Sequence, residues 1–270
     1  MKRRDFLATS CAAGMALPAL ALGGEASPGS ARDLDLYELR IYHFASAGKQ
    51  EAYDDFLAKA AVPAMNRAGI QPVGVFCLRK DDNPDLKLEA DSTDLYVLLR
   101  HKSCESVLTA NRRMMADAEF RAAGKAVIES PKNDPAYTRY ESSLLVAFEQ
   151  MPHLEVPATK PTRIYQLRIY ESHNPERALA KIAMFNEGGE IAIFRRVGMT
   201  PAFFGERIIG SLMPNLTYML GFDDMDAQKA AWERFRKDPA WIALKDKPEY
   251  AETVSTITNL LLRPAKSSQM

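Results

Sequence analysis

The stretch YELRIY occupies residues 37–42, and a near copy, YQLRIY, occupies residues 165–170. The two stretches differ only at their second letter. Further pairs of similar segments follow in the same order, namely AGIQPVGVF at 68–76 with VGMTPAFFG at 197–205, and ADAEF at 116–120 with KDPAW at 237–241. Segments that recur in the same order indicate an internal duplication.

Each copy shows the same succession of predicted elements. In the first copy we predict a strand at 35–43, a helix at 49–68, strands at 70–79 and 94–101, a helix from about 103 and a strand at 137–148. In the second copy the matching elements lie at 163–171, 175–196, 199–208, 215–222, 225–237 and 253–262. This β-α-β-β-α-β order predicts an α+β fold of two tandem ferredoxin-like units.

The repeated strand has two different faces, because side chains alternate across a strand. Leu39 and Ile41 belong to an apolar face, which we expect to pack under the helices. The opposite face is amphipathic, and its repeated members are Arg40, Tyr42, Arg168 and Tyr170. A sheet with helices on one side leaves its other side bare. We therefore expect two such sheets to close a barrel with a polar lumen, either within one chain or between the chains of a homo-oligomer.

Residues 1–26 differ in character from the rest of the chain. Arg3 and Arg4 precede an apolar, alanine-rich run that ends in small residues, which is typical of an export signal. The RRDFL spelling resembles the twin-arginine type, and a general secretory signal is the alternative. We therefore expect a periplasmic or other extracytoplasmic location.

The other boundaries follow from composition and from the duplication. We predict a linker at 27–34, a first copy at 35–149, a Pro-rich linker at 150–162, a second copy at 163–264 and a tail at 265–270. The first copy has the longer loop between its second and third strands, and hairpin loops tolerate such differences in length.

The segment FNEGGEIAIFRRVGMTPAFFGERIIGSLMPNLTYMLGFDDMDAQKAAWERFRKDPAW at 185–241, with the opening strand, resembles the NIPSNAP domain. That domain is a branch of the dimeric α/β-barrel superfamily. The second copy resembles it over its full length, and the first copy mainly at its opening strand. The resemblance implies a dimeric-α/β-barrel-type arrangement. It implies little about activity, because the wider superfamily includes monooxygenases, haem-degrading enzymes and isomerases.

The second copy carries a Gly-Gly pair inside a predicted helix, flanked by Asn186, Glu187 and Glu190. Two glycines cost a helix about 1–2 kcal/mol relative to alanines. One interpretation is a bend that carries the glutamates towards a ligand cavity. The other is a simple helix break with exposed glutamates.

A second group of candidate binding residues lies on the predicted strands. A carboxylate, a guanidinium and a phenol that share one lumen would bind a small polar or enolisable molecule and move a proton. The alternative is a satisfied network of buried ion pairs. The residues of this group are Arg40, Tyr42, Arg168, Tyr170, Glu206 and Tyr218.

Composition and motif content exclude several classes of function. Lys plus Arg and Asp plus Glu both number 35, so no basic field predicts nucleic-acid binding. Beyond the signal no stretch reaches the roughly 18 apolar residues of a membrane span. The four histidines lack metal-ligand spacing. We expect no metal and no cofactor, with haem at His173 as an alternative.

Two functions of different class remain. The first is a small-molecule binding protein, or a structural or interaction module. The second is a cofactor-independent enzyme, of oxygenase or isomerase type, that uses the second copy. Because no phosphate loop or nucleophile elbow is present, the sequence leaves open whether the chain is an enzyme.

Overall fold

Residues 33–270 are the part of the chain that the computed structural model describes, so the predicted signal at 1–26 lies outside it. The strands are β1 (Leu36–His43), β2 (Val73–Leu78), β3 (Leu95–His101), β4 (Arg139–Ala147), β5 (Ile164–Glu171), β6 (Thr200–Ile209), β7 (Asn215–Phe222) and β8 (Thr256–Pro264). The helices are α1 (Ala47–Phe56), α2 (Val62–Arg67), α3 (Cys104–Ala116), α4 (Ala118–Ala123), α5 (Lys125–Ile128), α6 (Pro175–Asn186), α7 (Glu190–Arg196), α8 (Met225–Lys237) and α9 (Pro239–Lys245). Within the described range, no helix is both long and apolar enough to cross a membrane.

The main helices begin where short polar side chains satisfy free backbone N–H groups. In each case a side-chain oxygen accepts a hydrogen bond from an N–H two or three residues further along. These capping residues are Ser46, Ser103, Asn174, Asp224 and Asp238. Two predicted helices are interrupted: a π-helical turn at Leu57–Ala61 separates α1 from α2, and glycines separate α6 from α7.

The strands form one closed antiparallel barrel in the order β1-β3-β2-β8-β5-β7-β6-β4. Within the first half the pairing order is β4-β1-β3-β2, and within the second half it is β8-β5-β7-β6. The halves join where β2 pairs with β8 and β4 pairs with β6. A single chain therefore closes the barrel.

The barrel lumen is packed with apolar side chains from all eight strands and, among the described residues, from no helix. The predicted orientation of the repeated strand is therefore wrong: Leu39 points into the lumen, and Arg40 lies beneath the helices. An eight-stranded barrel is just wide enough for side chains to fill it, so charges there would lose their water. The largest fully buried residues of the lumen are Tyr37, Phe76, Tyr165 and Phe203.

Each half also has a core between its sheet and its helices. The same ion pair ties the helices together in both halves. Arg67 Nη2 lies 2.7 Å from Asp117 Oδ2, and Arg196 Nη2 lies 2.7 Å from Asp238 Oδ1. Each aspartate also caps the following helix. The two halves therefore share details of side-chain packing as well as strand order.

The segment predicted as a tail, 265–270, packs on the first half. The backbone N–H of Ala265 donates to the carbonyl of Val75 on β2. The buried carboxylate of Asp54 on α1 accepts the N–H of Ser267 at 3.2 Å. The end of the second half is therefore fastened to a strand and a helix of the first.

Candidate functional site

Each half has a cavity between the sheet and the helices that contains the arginine of the repeated strand. The first-half cavity has a volume of about 210 Å³. Its lining residues are Arg40, Tyr42, Tyr53, Phe56, Leu57, Ala61, Met65, Val97, Asn111, Met114, Met115, Phe120, Tyr137 and Tyr140. The second-half cavity has a volume of about 420 Å³ and is lined by Gln166, Arg168, Gln228, Lys229, Trp232, Glu233, Arg236 and Asn259.

Tyrosine rings form one wall of the first-half cavity. The ring of Tyr42 lies 4.9 Å from that of Tyr53, 5.4 Å from that of Tyr137 and 5.0 Å from that of Tyr140, measured between centroids. Burial raises the pKa of the Tyr53 hydroxyl well above its ordinary value, so this phenol stays neutral. The cavity is therefore lined by aromatic and aliphatic groups, and its polar groups are Arg40, Asn111 and the hydroxyls of the tyrosines.

A buried ion pair holds Arg40 at the sheet side of this cavity. Its Nε donates to Glu38 Oε1 at 2.6 Å, and its Nη2 donates to Glu38 Oε2 at 2.9 Å. Ser142 also donates to Glu38, and His101 Nε2 lies 3.4 Å away from it. Burial by itself would raise the pKa of the Glu38 carboxyl, but the bonds from His101 and Arg40 outweigh it and lower that pKa to about 2. Glu38 is therefore ionised and fully paired.

The first-half cavity exists because a valine replaces a tyrosine. Val97 is the β3 residue opposite Arg40, whereas Tyr218 is the β7 residue opposite Arg168. The Tyr218 ring fills the equivalent space between sheet and helices in the second half. There it stacks on the ring of Phe204, with centroids 5.1 Å apart. The smaller side chain of Val97 leaves that volume empty in the first half.

The second-half cavity is polar and more open to solvent. Arg168 lies over the ring of Trp232, with 4.7 Å from its Cζ to the ring centroid, and over that of Tyr170 at 5.2 Å. Its Nε is buried and has no hydrogen-bond partner among the described residues. The arginine of this half therefore has aromatic neighbours and no hydrogen-bonded anion, although the carboxyl of Glu190 lies close enough to feel its charge.

Below α6 and α7 lies a buried lysine–glutamate pair. Lys181 Nζ is 2.7 Å from Glu190 Oε2, and the two residues are 4% and 2% exposed. Gly189, at φ +82°, lies between α6 and α7 and directs Glu190 inwards at the start of α7. Burial raises the pKa of the Glu190 carboxyl, and Lys181 opposes the rise. Beside the pair, the hydroxyls of Tyr170 and Tyr218 are 2.9 Å apart.

The structure separates the candidate residues into groups. Arg40 and Tyr42 lie in the first-half cavity, while Arg168 borders the second-half cavity. The four buried or half-buried residues that meet in the second half are Arg168, Tyr170, Glu190 and Tyr218. Their expected position in the lumen is wrong, because Tyr170 and Tyr218 pack with helix residues. Their role as ligand-binding residues stays a prediction.

The remaining candidates lie apart from both cavities. Glu187 is exposed, so the helix break carries only Glu190 inwards. Asn186 accepts a hydrogen bond from the backbone N–H of Gln150 through its Oδ1. Glu206 pairs across the sheet with Leu216 and lines neither cavity.

Sequence reasoning missed three residues of these sites. Tyr53 in the first half and Lys181 in the second half occupy equivalent places in the first helix of their halves. Each lies against the tyrosine of its own repeated strand, Tyr42 for Tyr53 and Tyr170 for Lys181. Trp232 packs against the core of the second half and also lines the second-half cavity. A signal was present for Lys181, since it is a lysine on the buried side of an amphipathic helix.

Comparisons with known proteins agree with this architecture. The NIPSNAP family model matches residues 165–269. A candidate monooxygenase from Fusobacterium nucleatum subsp. nucleatum ATCC 25586 has a similar structure, with a TM-score of 0.57 and 8% identity over 87% of this chain and 94% of its own. A second candidate monooxygenase, from Lactobacillus acidophilus NCFM, has a TM-score of 0.52 and 10% identity over 86% of this chain and 94% of its own. Among curated proteins, none matches the chain.

These likenesses differ in what they establish. At such low identity the two structures show a shared fold alone. An uncharacterized NIPSNAP-like domain protein from Burkholderia xenovorans is 22% identical over 40% of this chain and 90% of its own, with a TM-score of 0.36. The family match begins in β5, at the repeated strand, and ends in the docked C-terminal segment. Residues 165–269 are therefore a NIPSNAP domain.

Proposed function

We propose that the chain is a small-molecule binding protein whose first-half cavity takes a single-ring aromatic molecule with a polar substituent. The observation that carries this proposal is an aromatic cavity of about 210 Å³ with a charged pair on one side. A dry cavity of about 150 Å³ holds one benzene molecule, so this volume admits a ring and a substituent. A lining of aromatic and apolar side chains with a small number of polar groups is typical of ligand sites.

The polar end of the ligand would meet Arg40. Two of the guanidinium nitrogens are occupied by Glu38, and Nη1 makes only a long bond of 3.3 Å to the Tyr42 hydroxyl. Arg40 Nη1 and the Asn111 side chain therefore supply hydrogen bonds for a hydroxyl or carbonyl group. Because Glu38 already neutralises Arg40, a neutral ligand fits better than an anion.

The test is binding of phenol and benzamide, measured by saturation-transfer NMR and calorimetry. Val97→Phe should fill the cavity and abolish binding, because it restores a ring where the second half has Tyr218. Ala61→Leu fills the space from the helix side and serves as a second variant. Val156→Phe, at an exposed position of the linker, is the matched control and should bind normally. Wild-type protein that binds neither probe, or binding that survives both filling variants, would favour a structural or interaction role instead.

Cofactor-independent catalysis, as an oxygenase or isomerase, is the second candidate. The fold shared with two candidate monooxygenases over most of the chain is the observation in its favour. Oxygen uptake that depends on a bound phenol, with a matching gain in the mass of that ligand, would support it. A ligand recovered unchanged after incubation in air would leave binding as the function.

We also infer that the halves are tandem ferredoxin-like copies. Their common element order, their common strand order and the repeated Arg–Asp ion pair support this inference.

Export by a twin-arginine signal at 1–26 is a further proposal, supported by Arg3 and Arg4 before the apolar run. A folded fluorescent reporter fused behind residues 1–34 tests it. The reporter should reach the periplasm, and replacing both arginines by lysine should hold it in the cytoplasm. Export that survives this replacement would indicate a general secretory signal.

A further inference from the structure

The two halves differ in one residue beside the repeated arginine. The first half has Glu38 two positions before Arg40, and the second half has Gln166 two positions before Arg168. Glu38 takes both Nε and Nη2 of its arginine. An amide carries no charge, so the second half has no anion at the equivalent place.

The amide oxygen of Gln166 is already occupied by other donors. Its Oε1 accepts a hydrogen bond from Trp232 Nε1 at 2.6 Å and from Gln228 Nε2 at 3.2 Å. Its Nε2 donates to Asn259 Oδ1 at 2.6 Å. No acceptor of Gln166 remains for Arg168, although the two side chains project from the same face of β5.

Arg168 is half-buried, and its Nε is a buried donor without an acceptor. No hydrogen bond or ion pair joins its guanidinium to another side chain among residues 33–270, and its Nε is shielded from solvent. A buried donor attached to a charged group is costly to leave unpaired. The rings of Trp232 and Tyr170 contact the guanidinium without accepting a hydrogen bond from its Nε.

The surroundings of Arg168 attract anions. The second-half cavity opens to solvent and is lined by two further cations, Lys229 and Arg236, against one carboxylate, Glu233. Both cations are exposed and neither forms an ion pair with a described residue. A planar guanidinium at the base of a cationic cleft matches the two oxygens of a carboxylate or a phosphate.

We propose that the second-half cavity is a binding site for a small oxyanion. The oxyanion would pair with Arg168 as the carboxylate of Glu38 pairs with Arg40. The ligand supplies two oxygens to the guanidinium, and Lys229 and Arg236 add long-range attraction. The site is separate from the first-half cavity, so anion binding here does not depend on the aromatic ligand proposed there.

Tryptophan fluorescence tests the proposal directly, because the chain has only two tryptophans. In a Trp241→Phe background, Trp232 alone reports, and its ring lies against the guanidinium that would bind the anion. Titration with inorganic phosphate and with benzoate, at constant ionic strength, should change the emission with a saturable curve. Saturation by phosphate alone would assign a phosphoryl ligand, and saturation by benzoate alone would assign a carboxylate ligand.

Two variants and one control complete the test. Gln166→Glu recreates the first-half ion pair, so it should weaken binding by about tenfold or more while the fold is retained. Arg168→Gln should weaken it by a similar factor. Arg113→Gln removes the same charge from the exposed face of α3 in the other half and should leave binding unchanged. An absence of saturation with both anions in the wild type, or equal binding in Gln166→Glu, would overturn the proposal.

Discussion

Lys181 Nζ and Glu190 Oε2 meet at 2.7 Å in the interior of the second half, and both side chains are almost entirely withdrawn from water. Glu190→Gln should destabilise the protein by about 3–5 kcal/mol, because it leaves an uncompensated buried ammonium. Lys181→Met combined with Glu190→Leu should cost much less, because both charges are then absent. Urea unfolding of the single and double variants measures the difference.

The matched control for this pair is an exposed one. Lys59 and Asp55 form an ion pair at 3.2 Å on the surface of the first half. Asp55→Asn should change the free energy of unfolding by less than about 1 kcal/mol. A Glu190→Gln variant as stable as Asp55→Asn would show that the buried pair contributes little.

The pairing of Glu38 with Arg40 predicts how stability depends on pH. The folded-state pKa of Glu38, about 2, lies below its ordinary value of 4.5. The unfolded chain therefore takes up this proton first as the pH falls, and the stabilisation present above about pH 4.5 is lost towards about pH 2. At about 1.4 kcal/mol for each pKa unit, the loss is about 3.5 kcal/mol.

Urea unfolding at about pH 6 and about pH 3 checks this prediction. Glu38→Gln should flatten the acid part of the profile, because its side chain takes up no proton. Glu119→Gln, which removes an exposed carboxylate beside Arg67, should keep the wild-type slope. An acid slope that is identical in wild type and Glu38→Gln would contradict the assignment of a low pKa to Glu38.

The order of elements could be predicted from the sequence, whereas the orientation of the repeated strand could not. Strand and helix periods are local properties of the chain, and the repeat of Arg40 as Arg168 was visible in the letters. Both faces of the strand are buried in the structure, so alternation alone does not tell lumen from helix layer. The cavities depend on pairs such as Val97 and Tyr218, whose partners come from other strands and helices.

Gly189 and Gly48 should respond to alanine in opposite directions. Gly189 has φ +82°, a conformation that strains any side chain, so Gly189→Ala should lower the free energy of unfolding by about 1 kcal/mol or more. Gly48 lies exposed in the first turn of α1 with ordinary helical backbone, so Gly48→Ala should raise that free energy by about 0.5–1 kcal/mol. Thermal unfolding of both variants gives the comparison. Equal effects would mean that the break between α6 and α7 tolerates a helical φ.

The C-terminal segment should act as a fastener between the halves. Removing residues 265–270 takes away the N–H groups that bond the carboxylate of Asp54, which is 8% exposed and would then lack these partners. It also exposes the edge between β2 and β8, because the segment bonds Val73 and Val75. The loss of several hydrogen bonds, together with the unpaired carboxylate of Asp54, should destabilise the protein by about 3 kcal/mol or more.

Urea unfolding and hydrogen exchange check this last prediction together. In the truncated protein, amide protection should fall in β2 and in α1, while β6 and β7, which lie on the far side of the barrel, should keep theirs. Asp54→Asn in the full chain separates the two causes, since it removes the charge and retains the backbone bonds to β2. A truncated protein with full protection in β2 would show that the barrel seam between β2 and β8 holds without the segment, and that the docked C-terminus follows the fold rather than stabilising it.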